Sequence, residues 1–316
     1  MHSRITAFLF PGQGSQEVGM GYELAKKFPA AKEIFDISDE TLGFDLSQIA
    51  WFGPEKNLND TINTQPALLT HSVASLQVFK DTFPDFLPAF AAGHSMGALS
   101  ALVSVNSIPF KEALMLSRKR GEYMKRAGIL APGGMAAILA LKITEVEDIC
   151  RQASSENKIV QIANDNCPGQ VVISGHDEAL EKALTLAREA KARKVVRLAI
   201  SIAAHSPLMS DAQDDFNMAL EATTIKVPEI PIIGNVNAKP LTSISHVRED
   251  LSAQLYSRVR WTETINYLIS KGVNTFFEFG SGEVLVSLVK RINRRTTRIS
   301  IGKPEDFSKL DSLLSP

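Results

Sequence analysis

Short apolar runs alternate with longer stretches of helical spacing along this chain. Thr6-Ala7-Phe8-Leu9-Phe10 predicts a buried strand. It is broken by Pro11-Gly12-Gln13-Gly14-Ser15-Gln16, where proline and two glycines interrupt regular structure and leave backbone N–H groups free. Helical spacing follows over residues 21–35. Gln65-Pro66-Ala67-Leu68-Leu69 predicts the start of another helix, with Pro66 in a first turn that needs no N–H from it. Residues 86–92 read as a short strand, 98–103 as the opening of a helix, and 108–124 as a helix carrying Arg118, Lys119 and Arg120 in a row.

The texture changes near Pro132-Gly133-Gly134. Residues 135–141 predict a strand, and 144–154 a helix with Thr144 as its N-cap. Two strands, 160–163 and 170–174, flank a loop Asn164-Asp165-Asn166-Cys167-Pro168-Gly169. A helix over 177–191 and a strand over 194–198 complete a β-α-β-β-α-β order, the ferredoxin-like arrangement. Residues 130–199 are therefore expected to form a small domain inserted into a larger one built from 1–129 and 200–316. Beyond the insert the pattern predicts helix over 210–223, an extended segment over 230–234 and helix over 248–256. A strand over 276–280 then enters a glycine turn before a helix over 284–293. Strands alternating with helices argue for an α/β fold with a parallel sheet in the large domain. The tail after Lys303 is poorly patterned and is expected to be loosely attached.

Composition fits a soluble globular protein with a real core, at 44% hydrophobic and 22% charged residues in 316. A formal net charge of -1 supplies no basic field for nucleic acid. Cys150 and Cys167 lack paired spacing, so neither a disulfide framework nor a metal site is expected. The N-terminus lacks a signal-peptide pattern, and no apolar run approaches the ~18–20 residues of a membrane span. A cytoplasmic enzyme is the expectation.

The chemistry concentrates at Gly93-His94-Ser95-Met96-Gly97, between the strand ending near Ala92 and the helix opening at Ala98. Glycines on both sides of a serine suit a sharp strand-to-helix turn, which exposes the hydroxyl near a helix N-terminus. The same five residues also fit a plain small-residue turn. A nucleophilic serine needs a base. Of six histidines, His205 has the most suggestive setting, Ile202-Ala203-Ala204-His205-Ser206-Pro207, just past the insert. His94 is a poor base for Ser95, because adjacent residues on a turn point apart. A lone histidine is otherwise an ordinary surface or core residue.

Several ordered segments resemble the malonyl-CoA:acyl carrier protein transacylase family. They are Pro11-Gly12-Gln13-Gly14-Ser15-Gln16, Gly93-His94-Ser95-Met96-Gly97 and Arg120-Gly121-Glu122-Tyr123-Met124. Asn164-Asp165-Asn166-Cys167-Pro168-Gly169-Gln170-Val171-Val172, His205 in its small-residue setting and Gln254-Leu255-Tyr256 complete the series. The resemblance covers about residues 6–300. It implies an α/β-hydrolase-like large domain with a ferredoxin-like insert.

The resemblance also implies roles. Ser95 is the nucleophile and His205 the base, with the backbone N–H groups of Gln13 and Met96 as oxyanion donors. The Gln254 carbonyl orients His205, and Asn235 lies near that histidine. Arg120 binds the malonyl carboxylate, since a guanidinium fork matches a carboxylate bidentately; without the resemblance it reads as a solvated helix charge. Asn166 assists at the same end or is a turn residue, and Gln65 lines the site or starts a helix. The implied substrates are a coenzyme A thioester and a phosphopantetheinylated acyl carrier protein, with no further cofactor, no nucleic acid or membrane partner, and a monomeric enzyme. Lys290-Arg291-Ile292-Asn293-Arg294-Arg295 is either a docking surface for an acidic carrier protein or a solvated helix end.

Two positions depart from the family pattern. Ala98 stands where a glutamate is common, and Ala204 where a serine or bulkier residue precedes the histidine. The second leaves room near the base, so exclusion of an α-branched extender such as methylmalonyl is not implied. Competing functions are an acyl hydrolase or thioesterase on the same fold, a free-standing polyketide acyltransferase with another extender unit, and a non-catalytic carrier-protein module.

Overall fold

Strand residues alternate between two faces, and the largest sheet is built on that alternation. The computed structural model describes residues 5–200 and 202–314. Its strands are β1 (Thr6–Phe10), β2 (Phe90–Gly93), β3 (Gly133–Leu139), β4 (Val160–Cys167), β5 (Gln170–His176), β6 (Lys194–Arg197), β7 (Ile232–Ile233), β8 (Pro240–Leu241), β9 (Thr275–Phe279) and β10 (Thr297–Ile301). Six of them form one sheet in the order β10-β9-β1-β2-β7-β8, parallel except for the last pair. Phe8, Phe10, Phe277 and Phe279 project to one face, where Phe8 meets Phe79 of the helix Thr61–Thr82 at 5.5 Å between ring centroids. Ala7, Leu9 and Phe276 project to the other, against Trp261, Ile265 and Leu268 of the helix Trp261–Ser270. Both faces are covered, which is why the central strands are apolar throughout.

The other four strands form an antiparallel sheet in the order β4-β5-β3-β6. One of its faces buries Ile138, Val171 and Ile173 against the helices Ile143–Ala153 and Asp177–Glu189. Its opposite face turns Met135, Ala163 and Val172 into the main core of the protein. The fold is thus an α/β-hydrolase-like parallel sheet joined to a ferredoxin-like unit. Strand β4 is tied to the segment before the helix Trp261–Ser270: Asp165 N–H donates to the Val259 carbonyl (2.9 Å) and Val259 N–H to the Ala163 carbonyl (2.8 Å). Among the described residues no helix is long and apolar enough to cross a membrane.

Several elements differ from the sequence reading for identifiable reasons. The helical stretch expected over 21–35 is two helices, Tyr22–Lys27 and Pro29–Leu42, split at Phe28, whose extended backbone is what a residue before proline prefers. The helix expected to start at Gln65 starts at Thr61 under an Asp60 cap, so Pro66 lies inside it. Proline there orphans the Ile62 carbonyl, which instead accepts from Arg118 Nη1 at 3.2 Å. Strand β2 begins only at Phe90, because Pro88 interrupts the earlier apolar run. The helix expected to cap at Thr144 begins at Ile143, and Glu145 reaches back to the Lys142 N–H (2.7 Å). The expected loop Asn164–Asn166 is strand, since β4 runs through to Cys167. The helix expected over 210–223 is α-helix only over Gln213–Glu221, its start being a 3-10 turn, Pro207–Ala212. The helix Trp261–Ser270 and strand β10 were not read from the pattern at all.

The tail is a helix, Pro304–Leu314, and it is docked rather than loose: Phe307 and Leu310 are buried, and the Phe307 ring lies tilted against that of Phe28, 5.3 Å between centroids. Phe307→Ala should cost about 3 kcal/mol of stability, as large-to-small core changes do. Urea unfolding at neutral pH measures this; a loss below ~0.5 kcal/mol would show that the helix adds little.

Candidate active site

A sharp turn follows β2. Ser95 has φ 52, a left-handed backbone that a serine does not adopt unaided. Gly93 and Gly97 permit it. A Cβ on Gly93 would lie 2.0 Å from the Gly97 carbonyl oxygen, and one on Gly97 would lie 2.1 Å from that of Phe10. Asn235 then holds the turn from both ends: its Oδ1 accepts from Ser95 N–H (2.8 Å) and its Nδ2 donates to the Gly93 carbonyl (2.9 Å). Asp250 fixes Asn235 in turn by accepting the N–H groups of Asn235 (3.1 Å) and Val236 (2.9 Å). Asp250 was not singled out in the sequence, where Arg248-Glu249-Asp250 looks like a solvated charged face.

The structure brings Ser95 and His205 together. Ser95 Oγ lies 2.9 Å from His205 Nε2, and His205 Nδ1 donates to the Gln254 carbonyl at 2.7 Å. A carbonyl only accepts, so the proton sits on Nδ1 and the Nε2 lone pair faces the serine. His205 is itself left-handed, with φ 59. His94 turns away from Ser95, with Nε2 2.9 Å from Asn166 Oδ1 and its ring edge-on to Trp261.

Arg120, from the helix Phe110–Leu130, is buried at 3% exposure. Its Nη1 donates to Gln65 Oε1 (2.8 Å), while Nη2 reaches Gln254 Oε1 (3.3 Å) and Ser95 Oγ (3.5 Å). Gln65 is anchored by donating to Thr61 Oγ1 (3.0 Å), and Thr61 donates to Gln13 Oε1 (3.0 Å). These contacts connect the loop after β1, the helix Thr61–Thr82 and the guanidinium.

Gln13, Ser95, Met96, Arg120, Asn166 and His205 all line one cavity of about 250 Å³. The rest of its wall combines apolar side chains, among them Met124, Met135, Leu198, Ile200 and Ala204, with the polar Thr61, His94, Asn164 and Gln170. Most of that wall comes from the antiparallel sheet and the chain just after it, so the cavity lies between the two sheets. Ala98 lies buried in the helix Gly97–Ser104. In the basic run, Arg291 is committed to the β4–β5 turn through Gln170 Oε1 and the carbonyls of Pro168 and Gly169, whereas Lys290, Arg294 and Arg295 are exposed.

Burial sets the electrostatics. His205 is pushed down to about 3, mainly by desolvation and then by the Arg120 charge. Desolvation also lowers His94 and brings Arg120 down to about 10. The imidazole of His205 is therefore neutral at pH 7, with its basic nitrogen on the serine hydroxyl.

The acyl transferase domain family matches residues 7–301, which sets the class of protein. The malonyl CoA-acyl carrier protein transacylase of Bacillus subtilis (strain 168) is 46% identical over 299 residues, covering 95% of this chain and 94% of the relative. That of Staphylococcus aureus (strain MSSA476) is 39% identical over 301 residues, 95% of this chain and 96% of the relative. The solved malonyl CoA-acyl carrier protein transacylase of Coxiella burnetii superposes with a TM-score of 0.95 at 37% identity, over 99% of this chain and 98% of that one. A malonyl-transacylase solved in complex with its type II PKS acyl-carrier protein superposes at 0.93 with 37% identity, over 96% and 98% of the two chains. The chain belongs to the malonyl CoA-acyl carrier protein transacylase family.

The buried histidines predict an acid weakness. His71, against the Gly302 carbonyl at 3.0 Å, is lowered by burial to about 4. Between about pH 6.5 and these depressed values the unfolded chain takes up protons that the folded chain refuses, so stability falls as pH falls. Urea midpoints should drop from pH 7 to pH 5, and His71→Gln should flatten the slope. An equal slope in that variant would remove His71 from the account.

Proposed function

We propose that the protein moves a malonyl group from malonyl-CoA to the phosphopantetheine thiol of an acyl carrier protein, in fatty acid or polyketide synthesis. The carrier of this reading is one arrangement: the Ser95–His205–Gln254 relay with the Arg120 guanidinium 3.5 Å from the same hydroxyl. In the first half-reaction Ser95 Oγ attacks the thioester carbonyl while His205 Nε2 takes its proton. The N–H groups of Gln13 and Met96, at the mouth of the helix that follows Ser95, hold the oxyanion. The tetrahedral adduct collapses, the C–S bond breaks, and the coenzyme A thiol leaves with the proton from His205. The carrier thiol then repeats the sequence in reverse, giving its proton to His205 and releasing Ser95. No cofactor is needed, because the acyl group arrives already activated as a thioester.

Arg120 supplies the selection. Its hydrogen-bond partners in the protein are all neutral, two amide oxygens and the Ser95 hydroxyl, so a malonyl carboxylate gives a desolvated cation its counter-charge. That carboxylate also offsets the charge that depresses His205, making the base stronger once the correct acyl group is bound. A hydrolase clearing simple acyl chains gains nothing from such a clamp. Asn166 borders the same space. Exposed Lys290, Arg294 and Arg295 form the surface for an acidic carrier protein, and residues 130–199 the insert that closes over the acyl chain. The enzyme is read as a cytoplasmic monomer.

Intact mass measurement after mixing with malonyl-CoA tests the reading: a malonyl adduct forms on the native chain and is absent from Ser95→Ala. Arg120→Ala should lower malonyl loading about 10- to 100-fold, the worth of one or two charged hydrogen bonds, while acetyl loading holds or rises. An unchanged preference for malonyl would remove Arg120 as the selector.

A further inference from the structure

Both partners of the Ser95–His205 pair have left-handed backbones, and each needs something to hold it. Asn235 does so for Ser95. For His205 the corresponding group is the side chain of Gln161, on β4 of the antiparallel sheet. Gln161 Nε2 lies 2.7 Å from the His205 carbonyl oxygen and 2.9 Å from that of Tyr256. An amide nitrogen carries two hydrogens, so both bonds form at once. One carbonyl belongs to the histidine. The other lies two residues beyond Gln254, whose own carbonyl takes the His205 Nδ1 proton.

We infer that Gln161 is a positioning residue for the acyl-transfer base: it clamps together the two backbone segments whose separation sets the His205–Gln254 bond. That bond in turn aims Nε2 at Ser95 Oγ. The clamp is braced from behind, since the Asp165–Val259 and Val259–Ala163 hydrogen bonds knit the same strand to the chain after Tyr256. Gln161 touches neither the cavity nor the reacting atoms. Without its two donors the His205 and Tyr256 carbonyls are released, the left-handed turn at His205 loses its restraint, and the imidazole drifts from the serine. A misplacement of about 1 Å costs on the order of 10²-fold in such steps.

The inference rests on His205 being the base, so the test includes that residue. Single-turnover malonylation by malonyl-CoA is followed on the full chain for the native protein, His205→Ala, Gln161→Met and Gln161→Glu. Gln161→Met keeps the length and removes both donors; its rate constant should fall about 10- to 100-fold with KM for malonyl-CoA unchanged. The low-field proton signal of His205 Nδ1–H should move upfield as the bond to Gln254 lengthens, a change that mere loss of stability does not produce. Gln161→Glu turns a carboxylate on two carbonyl oxygens, so it should lose as much rate near neutral pH. It should then recover part of it in acid, where a protonated carboxyl again donates one bond; this variant alone decides the matter if the methionine variant does not fold. Rates within two-fold of native in the folded variants, with the proton signal unmoved, overturn the role of Gln161. Native-like loading by His205→Ala would instead overturn the base assignment itself.

Discussion

The close approach of two backbone segments at the end of the parallel sheet sets everything else in the site. The loops after β1 and β2 meet with so little space that Gly12, Gly93 and Gly97 have no room for a Cβ; one on Gly12 would lie 2.4 Å from the His94 carbonyl oxygen. That proximity brings Gln13, Ser95 and Met96 to the wall of one cavity. It also forces Ser95 into a strained backbone, of order 1–3 kcal/mol, which Asn235 and Asp250 stabilise. Ligand sites at the carboxyl ends of parallel strands are general in such sheets. Here the strain at one residue is distributed over hydrogen bonds that reach into a loop 140 positions away in sequence.

His205 is held by a different logic. It lies in the chain returning from the antiparallel sheet, and its partners are main-chain groups and an amide rather than a carboxylate. A neutral acceptor at Nδ1 orients the ring without adding negative charge, so nothing opposes the desolvation that keeps the imidazole uncharged. Burial thus makes His205 a weak base, and geometry aims its Nε2 at Ser95.

What the sequence made legible was local. The serine turn was readable because tight packing demands glycine at fixed offsets, and the β-α-β-β-α-β order because each of its elements is amphipathic on its own. Pro66 misled because the carbonyl it orphans is satisfied by Arg118, far along the chain. Asn164-Asp165-Asn166 has loop composition yet forms strand, because pairing with Val259, a bridge residue outside the named strands, adds to its hydrogen bonds. In the tail, Phe307 and Leu310 make an apolar face only in the presence of Phe28 and the core beneath it. Among site residues, Ser95, His205, Gln13 and Arg120 carried motifs. Gln161 and Asp250 carried none, since each acts on backbone groups whose position only the fold defines, and Gln254 offers its carbonyl, which every residue type possesses.

Arg120 has a consequence for the protein as a whole. A guanidinium at 3% exposure, met by the amide oxygens of Gln65 and Gln254 and the Ser95 hydroxyl, is a charge held by neutral groups. Any carboxylate that settles beside it removes that burden, so the folded state gains free energy on being loaded that it does not possess when empty. On the proposed reading the cargo is thus part of the scaffold for as long as it stays, and its departure returns the buried charge to neutral partners alone.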